Sequence, residues 1–216
     1  TMCSGSLELG YALAVCGDLR NNVYRLECSW NEAAPTAHMT ILKALEWGHT
    51  LTSGESYGMN MKNAGTAGST YSSVKNAVSS VLSGDGGCAN IADEVGNVKL
   101  YNPWSGHDAS YIESPYSEKS LDDFYHNIQS IENVWKGGVD GHRSAYSFEN
   151  YFKKYNPNIN LSVENAIVNA QNKIKACPTP FVKNYTDGKV KEAIDACNTL
   201  KSALEAADEW IQQTNK

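Results

Sequence analysis

Long apolar runs and concentrated positive charge are both missing from this 216-residue sequence. Because no stretch of about 18 consecutive apolar residues is present, the sequence predicts no transmembrane segment. The net charge is -6, and the 18 basic residues are spread over the whole length without forming a basic stripe. Nucleic acid is therefore not an expected partner. The composition is that of a soluble globular protein large enough to bury a core without disulfide bonds.

Common hydrolase and metal motifs are also missing. The sequence has no HExxH and no CxxC. Its six cysteines are an even number, and burial as small apolar side chains is favoured over disulfide bonds, which leaves the redox compartment open. The first residues, TMCSGSLELG, lack the charged and apolar regions of a secretory signal. The chain is thus expected to be soluble as given, with a mature or trimmed form of an exported protein as the alternative.

Apolar periodicity of the helical kind runs through most of the chain. Alternating steps of four and three predict a long helix from Ser6 to Trp30 that belongs in a bundle. The stripe consists of Ala12, Cys16, Leu19, Val23, Leu26 and Trp30. Further helices are predicted over residues 37–47, 71–81, 88–98, 120–136, 146–155, 161–176 and 189–213, with a long loop over 50–70. Since no run alternates with period two, the predicted fold class is all-α: an up-and-down helical bundle, with residues 1–216 as one domain.

The connection over residues 99–119 is unusually long and aromatic. It carries Tyr101, Trp104, Tyr111 and Tyr116, and a loop of this length in a compact domain is usually functional or packed against something. The helix after it is expected to start with Ser120 as N-cap and to end at Gly137-Gly138. The connection is therefore either a lid or docking surface, or a segment folded back onto its own bundle.

Two acid-x-x-His spacings bear on metal binding. Bundles with two irons use Glu-x-x-His on two helices, and Glu46 with His49 matches this spacing, while Asp123 with His126 is a variant of it. The alternative for the first pair is a surface pair at a helix end. The alternative for Asp123 is a carboxylate that complements the helix dipole. Independent catalysis by this chain is not expected.

Three segments carry a resemblance to a known family. They are LAVCGDLRNNVYRLECSWNEA (13–33), IADEVGNVKLYNPWSGHDASYIESPYSEKSLDDFYHNIQSIENVWKGG (91–138) and KIKACPTPFVKNY (173–185) followed by AIDACNTLKSAL. Together they resemble the second half of an imelysin-like protein of the Bacteroidetes type. The most specific parts are DEVGNVKL, YIESPYS and SIENVWKGG.

The resemblance implies an exported protein of two related helical bundles, periplasmic or anchored to the outer membrane as a lipoprotein. Such proteins were first classed as metallopeptidases and are more often linked with iron or haem uptake. The family signature GxHxxE is absent from these 216 residues, which suggests a C-terminal half whose partner is the N-terminal bundle of the same protein. Expected ligands are iron, haem or another small ligand, with iron or another divalent metal as cofactor; an imelysin-type metallopeptidase and an envelope interaction module are the alternatives.

The resemblance also selects candidate site residues in DEVGN and YIESPYS. These residues, expected to form a ligand or interdomain site, are Asp93, Glu94, Asn97, Glu113, Ser114 and Tyr116. The helical pattern alone places Asp93 and Glu94 beside or outside the apolar face. The alternative to a binding role is therefore that both residues lie on the solvated surface of the helix. Glu113 lies between apolar residues and is expected to be a partly buried hydrogen-bond acceptor at a helix end or in a cleft.

Overall fold

The structure is a computed structural model that describes residues 5–106 and 109–214, and within these ranges it is all-α without any strand. The α-helices are α1 (Ser6–Trp30), α2 (Thr36–Ala44), α3 (Tyr57–Lys62), α4 (Val74–Leu82), α5 (Cys88–Asp93), α6 (Tyr101–Trp104), α7 (Ser120–Lys136), α8 (Phe148–Tyr155), α9 (Pro157–Ala176), α10 (Phe181–Asn184) and α11 (Gly188–Gln213). A π-helix (Glu94–Leu100) joins α5 to α6, and a 3-10 turn covers Ala109–Tyr111. No helix in the described ranges is both long and apolar enough to cross a membrane.

The chain divides into two compact units, which meet in sequence within α4. Unit 1 covers residues 1–77 and unit 2 covers residues 78–216. In unit 1 a small core of Cys28, Ala34 and Leu42 joins the end of α1 to α2. The single-domain prediction concerns the whole polypeptide and stays a prediction.

Helix α1 has the predicted bounds, but its apolar stripe is not buried within unit 1. Leu19 and Leu26 are 64% and 62% exposed, and the buried residues of the helix are Cys28 and Ser29. Exposed apolar residues also occupy its first half, where Leu7 is 84% exposed. Periodicity correctly indicated a helix, and the expectation that this helix belongs in a bundle stays a prediction.

Unit 2 is built around α11, which packs against α9, α5, the π-helix and α6. Its predicted stripe is buried: Val190, Ile194, Cys197, Leu204 and Ile211 all belong to the core. Helix α7 contributes a second stripe to the same core, as its spacing of three and four predicted. Those α7 residues are Leu121, Phe124, Ile128, Ile131 and Trp135.

The connections differ most from the sequence predictions. Ser120 is the first residue of α7 and not its cap, since its hydroxyl donates to the carbonyl of Glu113. The loop over 50–70 contains α3. The side-chain amide of buried Asn60 donates to the Thr70 hydroxyl at 2.8 Å, and its side-chain oxygen accepts from the Thr70 backbone N–H at 2.8 Å, so Asn60 fixes the turn after this helix. The connection over 99–119 begins with the end of the π-helix and with α6, so it is partly helical.

Five cysteines lie in the described part of the chain, and none of them forms a disulfide bond. Four are buried, which agrees with the prediction of small apolar side chains. Burial raises the pKa of Cys88 to about 11 and that of Cys197 to about 12. These two thiols are therefore protonated at neutral pH and act as packing groups. Cys3 lies outside the described residues.

The π-helix approaches α11 so closely that only a glycine fits at its centre. A Cβ on Gly96 would lie 2.9 Å from the Cβ of Cys197 and 3.5 Å from the carbonyl oxygen of Ile194. Both neighbours are held inside α11, so neither can move aside as the end of a flexible chain would. Gly96 thereby sets the distance between the two helices.

We expect Gly96→Ala to destabilise unit 2 by about 1–3 kcal/mol, because overpacking at a helix contact outweighs the better helix propensity of alanine. Urea unfolding followed by circular dichroism measures the change. Gly188→Ala is the matched control, since Gly188 begins α11 with nothing within 4 Å of the added Cβ. Equal midpoints for both variants would show that the close approach does not constrain the fold.

Candidate functional site: the π-helix and its polar neighbours

The segment from α5 through the π-helix to α6 is continuously helical, and its middle has π geometry. Residues Asp93 and Tyr101, at the two joints, both have α-helical backbone angles. A π-helix is rare, usually interrupts an α-helix, and is frequently found at functional sites. Here it contains all of DEVGNVKL except the first residue, and this is one of the three segments with the most specific resemblance.

One polar cluster links the start of the π-helix to α11. The Asn97 amide donates to the Asp93 carboxylate at 2.7 Å and to the side-chain oxygen of Asn198 at 2.8 Å. The Lys201 ammonium donates to the same Asp93 oxygen at 3.0 Å. The hydrogen bond from Asn97, followed by that from Lys201 and its charge, lowers the pKa of Asp93 despite partial burial. Asp93 is therefore a fixed carboxylate with its partners already in place.

A second cluster joins the π-helix to the connection that precedes α7. The Lys99 ammonium lies 3.5 Å from a Glu94 oxygen and 3.2 Å from a Glu113 oxygen. The lysine side chain is only 14% exposed, whereas those of Glu94 and Glu113 are 53% and 44% exposed. A nearly buried cation thus holds two accessible carboxylates at one point.

The last two predicted residues lie apart from these clusters. The Ser114 hydroxyl donates to Asp123 in the first turn of α7, and Ser114 has a positive φ of 52°. Tyr116 is fully exposed and extends away from the protein surface. The structure therefore brings together Asp93 with Asn97, and Glu94 with Glu113, but it does not bring all six candidates to one point.

The acid-x-x-His spacings do not form metal sites. Glu46 follows α2 with a positive φ of 57°, so Glu46 and His49 do not share a helix face. Asp123 accepts from Ser114, while His126 on the same helix is exposed. In the described residues no group of three or more His, Cys, Asp or Glu side chains is placed to hold a metal ion.

Sequence reasoning missed Lys99, Asn198 and Lys201. The two α11 residues lie 101 and 108 positions from their partners Asn97 and Asp93. The available signal was local: Asn198 and Lys201 are three positions apart and flank the buried stripe of α11 on one side. Their partners were not deducible without the pairing of the two helices.

A third polar group, also missed, joins α8 to α9. The side chains of Glu149 and Glu164 are hydrogen-bonded to each other, Asn160 donates to Glu164 at 2.7 Å, and Lys153 donates to Glu149 at 2.8 Å. Burial, then the hydrogen bond and charge of Glu149, raises the pKa of Glu164. Burial also opposes ionisation of Glu149, but hydrogen bonds from Lys153 and Glu164 outweigh it and lower its pKa. The contact therefore moves the two pKa values in opposite directions, with Glu164 the weaker acid of the pair.

The fold and these clusters define the class: an all-α protein with a π-helix supporting a polar, partly exposed surface. The sequence matches the imelysin family, also described as peptidase family M75, over residues 7–207. The chain belongs to the imelysin family.

Two solved structures are similar to this chain. One is an imelysin peptidase from Bacteroides ovatus, with 29% identity, a TM-score of 0.69, and coverage of 81% of this chain and 50% of that one. The other is a protein named an iron-regulated protein A precursor from Parabacteroides distasonis, with 31% identity, a TM-score of 0.66, and coverage of 72% and 47%. The chain thus spans about half the length of these two proteins. No curated protein matches it significantly.

The opposite pKa shifts of Glu149 and Glu164 predict a pH-dependent effect of Glu164→Gln. Because the pKa of Glu164 is raised in the folded state, its contribution to the free energy of unfolding is complete below the pKa of the unfolded chain, about 4.3. This contribution is lost as pH rises through the pKa of the folded state. Glutamine keeps a neutral donor at every pH. We therefore expect Glu164→Gln to gain stability relative to the parent as pH rises above about 4, by about 1 kcal/mol or less for these partly exposed groups.

Glu149→Gln is the control, and its trend should be opposite. The lowered pKa of Glu149 means that its contribution is present above the unfolded pKa and is lost as pH falls through the folded pKa. Urea midpoints at several pH values measure both trends. Parallel pH profiles for the two variants would contradict the opposite directions of the two pKa shifts.

Proposed function

We propose that the protein binds iron, haem or another small ligand in uptake or sensing at the cell envelope. The observation that carries this proposal is the position of Lys99 between Glu94 and Glu113. Carboxylate oxygens are the ligands that hard cations prefer, and here two of them converge on one ammonium group. A cation that displaced Lys99 would find both carboxylates within reach.

Two carboxylates are too few ligands for a tight metal site. The remaining ligands would come from a second helical bundle, the N-terminal part of a longer polypeptide with the length of the similar solved structures. Helix α1 supplies a surface for that bundle, because its apolar residues from Leu7 to Leu26 are exposed within unit 1. Contiguous exposed apolar surface usually marks an interaction site.

A location in the periplasm, or at the outer membrane as an anchored lipoprotein, belongs to the same proposal. Its support is the similar protein from Parabacteroides distasonis, which is named as a precursor and as iron-regulated. The buried, raised-pKa thiols suit an oxidising compartment as well as a reducing one, because they are not positioned for exchange.

The alternative function is a metallopeptidase, and the naming of the Bacteroides ovatus protein as a peptidase favours it. A peptidase of this type would need the GxHxxE segment on the second bundle. The polar groups of unit 2 would then help to hold a substrate or the partner bundle. Cleavage of unfolded casein by the longer, two-bundle polypeptide, stopped by a chelator, would favour this function over ligand binding.

Calorimetry with ferric iron, supplied as its nitrilotriacetate complex, tests the binding proposal. We expect saturable binding to the longer, two-bundle polypeptide, weakened at least about tenfold by Glu94→Gln or Glu113→Gln in the present numbering, a loss of about 1.4 kcal/mol. Glu192→Gln is the matched control, because it breaks an exposed ion pair with Lys173 at 2.6 Å on α11, outside the π-helix clusters. Absence of saturable binding, or equal losses in all three variants, would refute the proposed carboxylate site.

A further inference from the structure

Unit 1 contains a cleft that the proposed carboxylate site does not use. Its volume is about 500 Å³, within the range of small-molecule sites. On α1 the cleft is lined by Asn22 and by the residues three, four, seven and eight positions after it, which share one face of the helix: Arg25, Leu26, Ser29 and Trp30. The segment after α2 contributes Gly48, His49 and Thr50, and the start of α3 contributes Tyr57.

Among the described residues that line the cleft, Arg25 is the one with a permanent charge, and none is acidic. Its Nε donates to the carbonyl of Gly48 at 2.8 Å, which fixes the guanidinium plane. Its two terminal nitrogens have no protein partner in the described residues. A fixed, planar guanidinium with two free nitrogens is suited to a bidentate carboxylate.

Two aromatic rings form the apolar wall of the cleft. The ring centroids of Trp30 and Tyr57 are 6.1 Å apart, and the side chains are 47% and 43% exposed. Their arrangement is held by the neighbouring glycine, since a Cβ on Gly58 would lie 2.3 Å from the carbonyl oxygen of Trp30. Such a preformed wall favours contact with another flat ring.

Two further polar groups face no protein partner in the described chain. They are the ring of half-buried His49 and the hydroxyl of Tyr57. Both are able to donate to an oxygen substituent. A single imidazole among these lining residues does not make a metal site, so the chemistry of the cleft differs from that of the Glu94 and Glu113 surface.

We propose that this cleft binds a small aromatic carboxylate. The carboxylate pairs with the guanidinium of Arg25, and the ring lies against Trp30 and Tyr57. The site is separate from the proposed iron site in its residues and in its ligand, so each can fail without the other.

Calorimetry with 2-naphthoate tests the site, with 2-naphthamide as the uncharged ligand of the same shape. We expect saturable binding of naphthoate and at least about tenfold weaker binding of the amide, because only the carboxylate pairs with Arg25. Arg25→Gln should weaken the binding of naphthoate at least tenfold and leave the affinity for the amide unchanged. Trp30→Leu should weaken both ligands.

Arg20→Gln is the matched control, because Arg20 lies on the same helix over the ring of Tyr24 and outside the cleft. Glu94→Gln should also leave naphthoate binding unchanged. If Arg25→Gln unfolds unit 1, the proposal is tested by comparing the affinities of the parent chain for the acid and for the amide. No saturable binding of naphthoate up to about 10 mM, or equal affinity for acid and amide, would overturn the proposal.

Discussion

The contact between the π-helix and α11 is the constraint on which the candidate polar surface depends. Gly96 lets the two backbones approach until a single added methyl group would collide with Cys197. At this distance Asn97 reaches Asn198, and Asp93 reaches Lys201. The π geometry then determines where Glu94 and Lys99 lie relative to Glu113. A wider spacing would separate the polar pairs while leaving each helix intact, so the surface is more sensitive to this contact than the fold is.

Sequence reasoning succeeded where one helix face decides the outcome. The bounds of α1 were predicted fully, and the buried stripes of α7 and α11 follow from their spacing alone. It failed where competition between local groups decides. Ser120 has the chemistry of an N-cap, but its hydroxyl donates to Glu113 instead. The π-helix could not be predicted because its extra residue per turn is stabilised by the packing against α11 and by no local pattern.

Periodicity also says nothing about what covers a face. The stripe of α1 is as regular as that of α11, yet Leu26 is 62% exposed and Leu204 is fully buried. The same limit applies to the candidate site. Asp93 and Glu113 were found through the resemblance, whereas Lys99 was missed because its role depends on a carboxylate from another segment. Long-range partners of this kind follow from the fold and not from spacing.

The carboxylates of unit 2 differ in how readily they could exchange partners. Asp208 is only 6% exposed and accepts from Ser79 at 2.7 Å, from Ser83 and from Gln212, so breaking its contacts would leave a buried charge unpaired. Glu94 and Glu113 are about half exposed, and an ion pair in such a position contributes about 1 kcal/mol or less. An incoming cation would keep both carboxylates paired, and the remaining cost is that of turning the nearly buried Lys99 ammonium toward solvent. The exposed pair is therefore better suited than Asp208 to the ligand exchange that we propose.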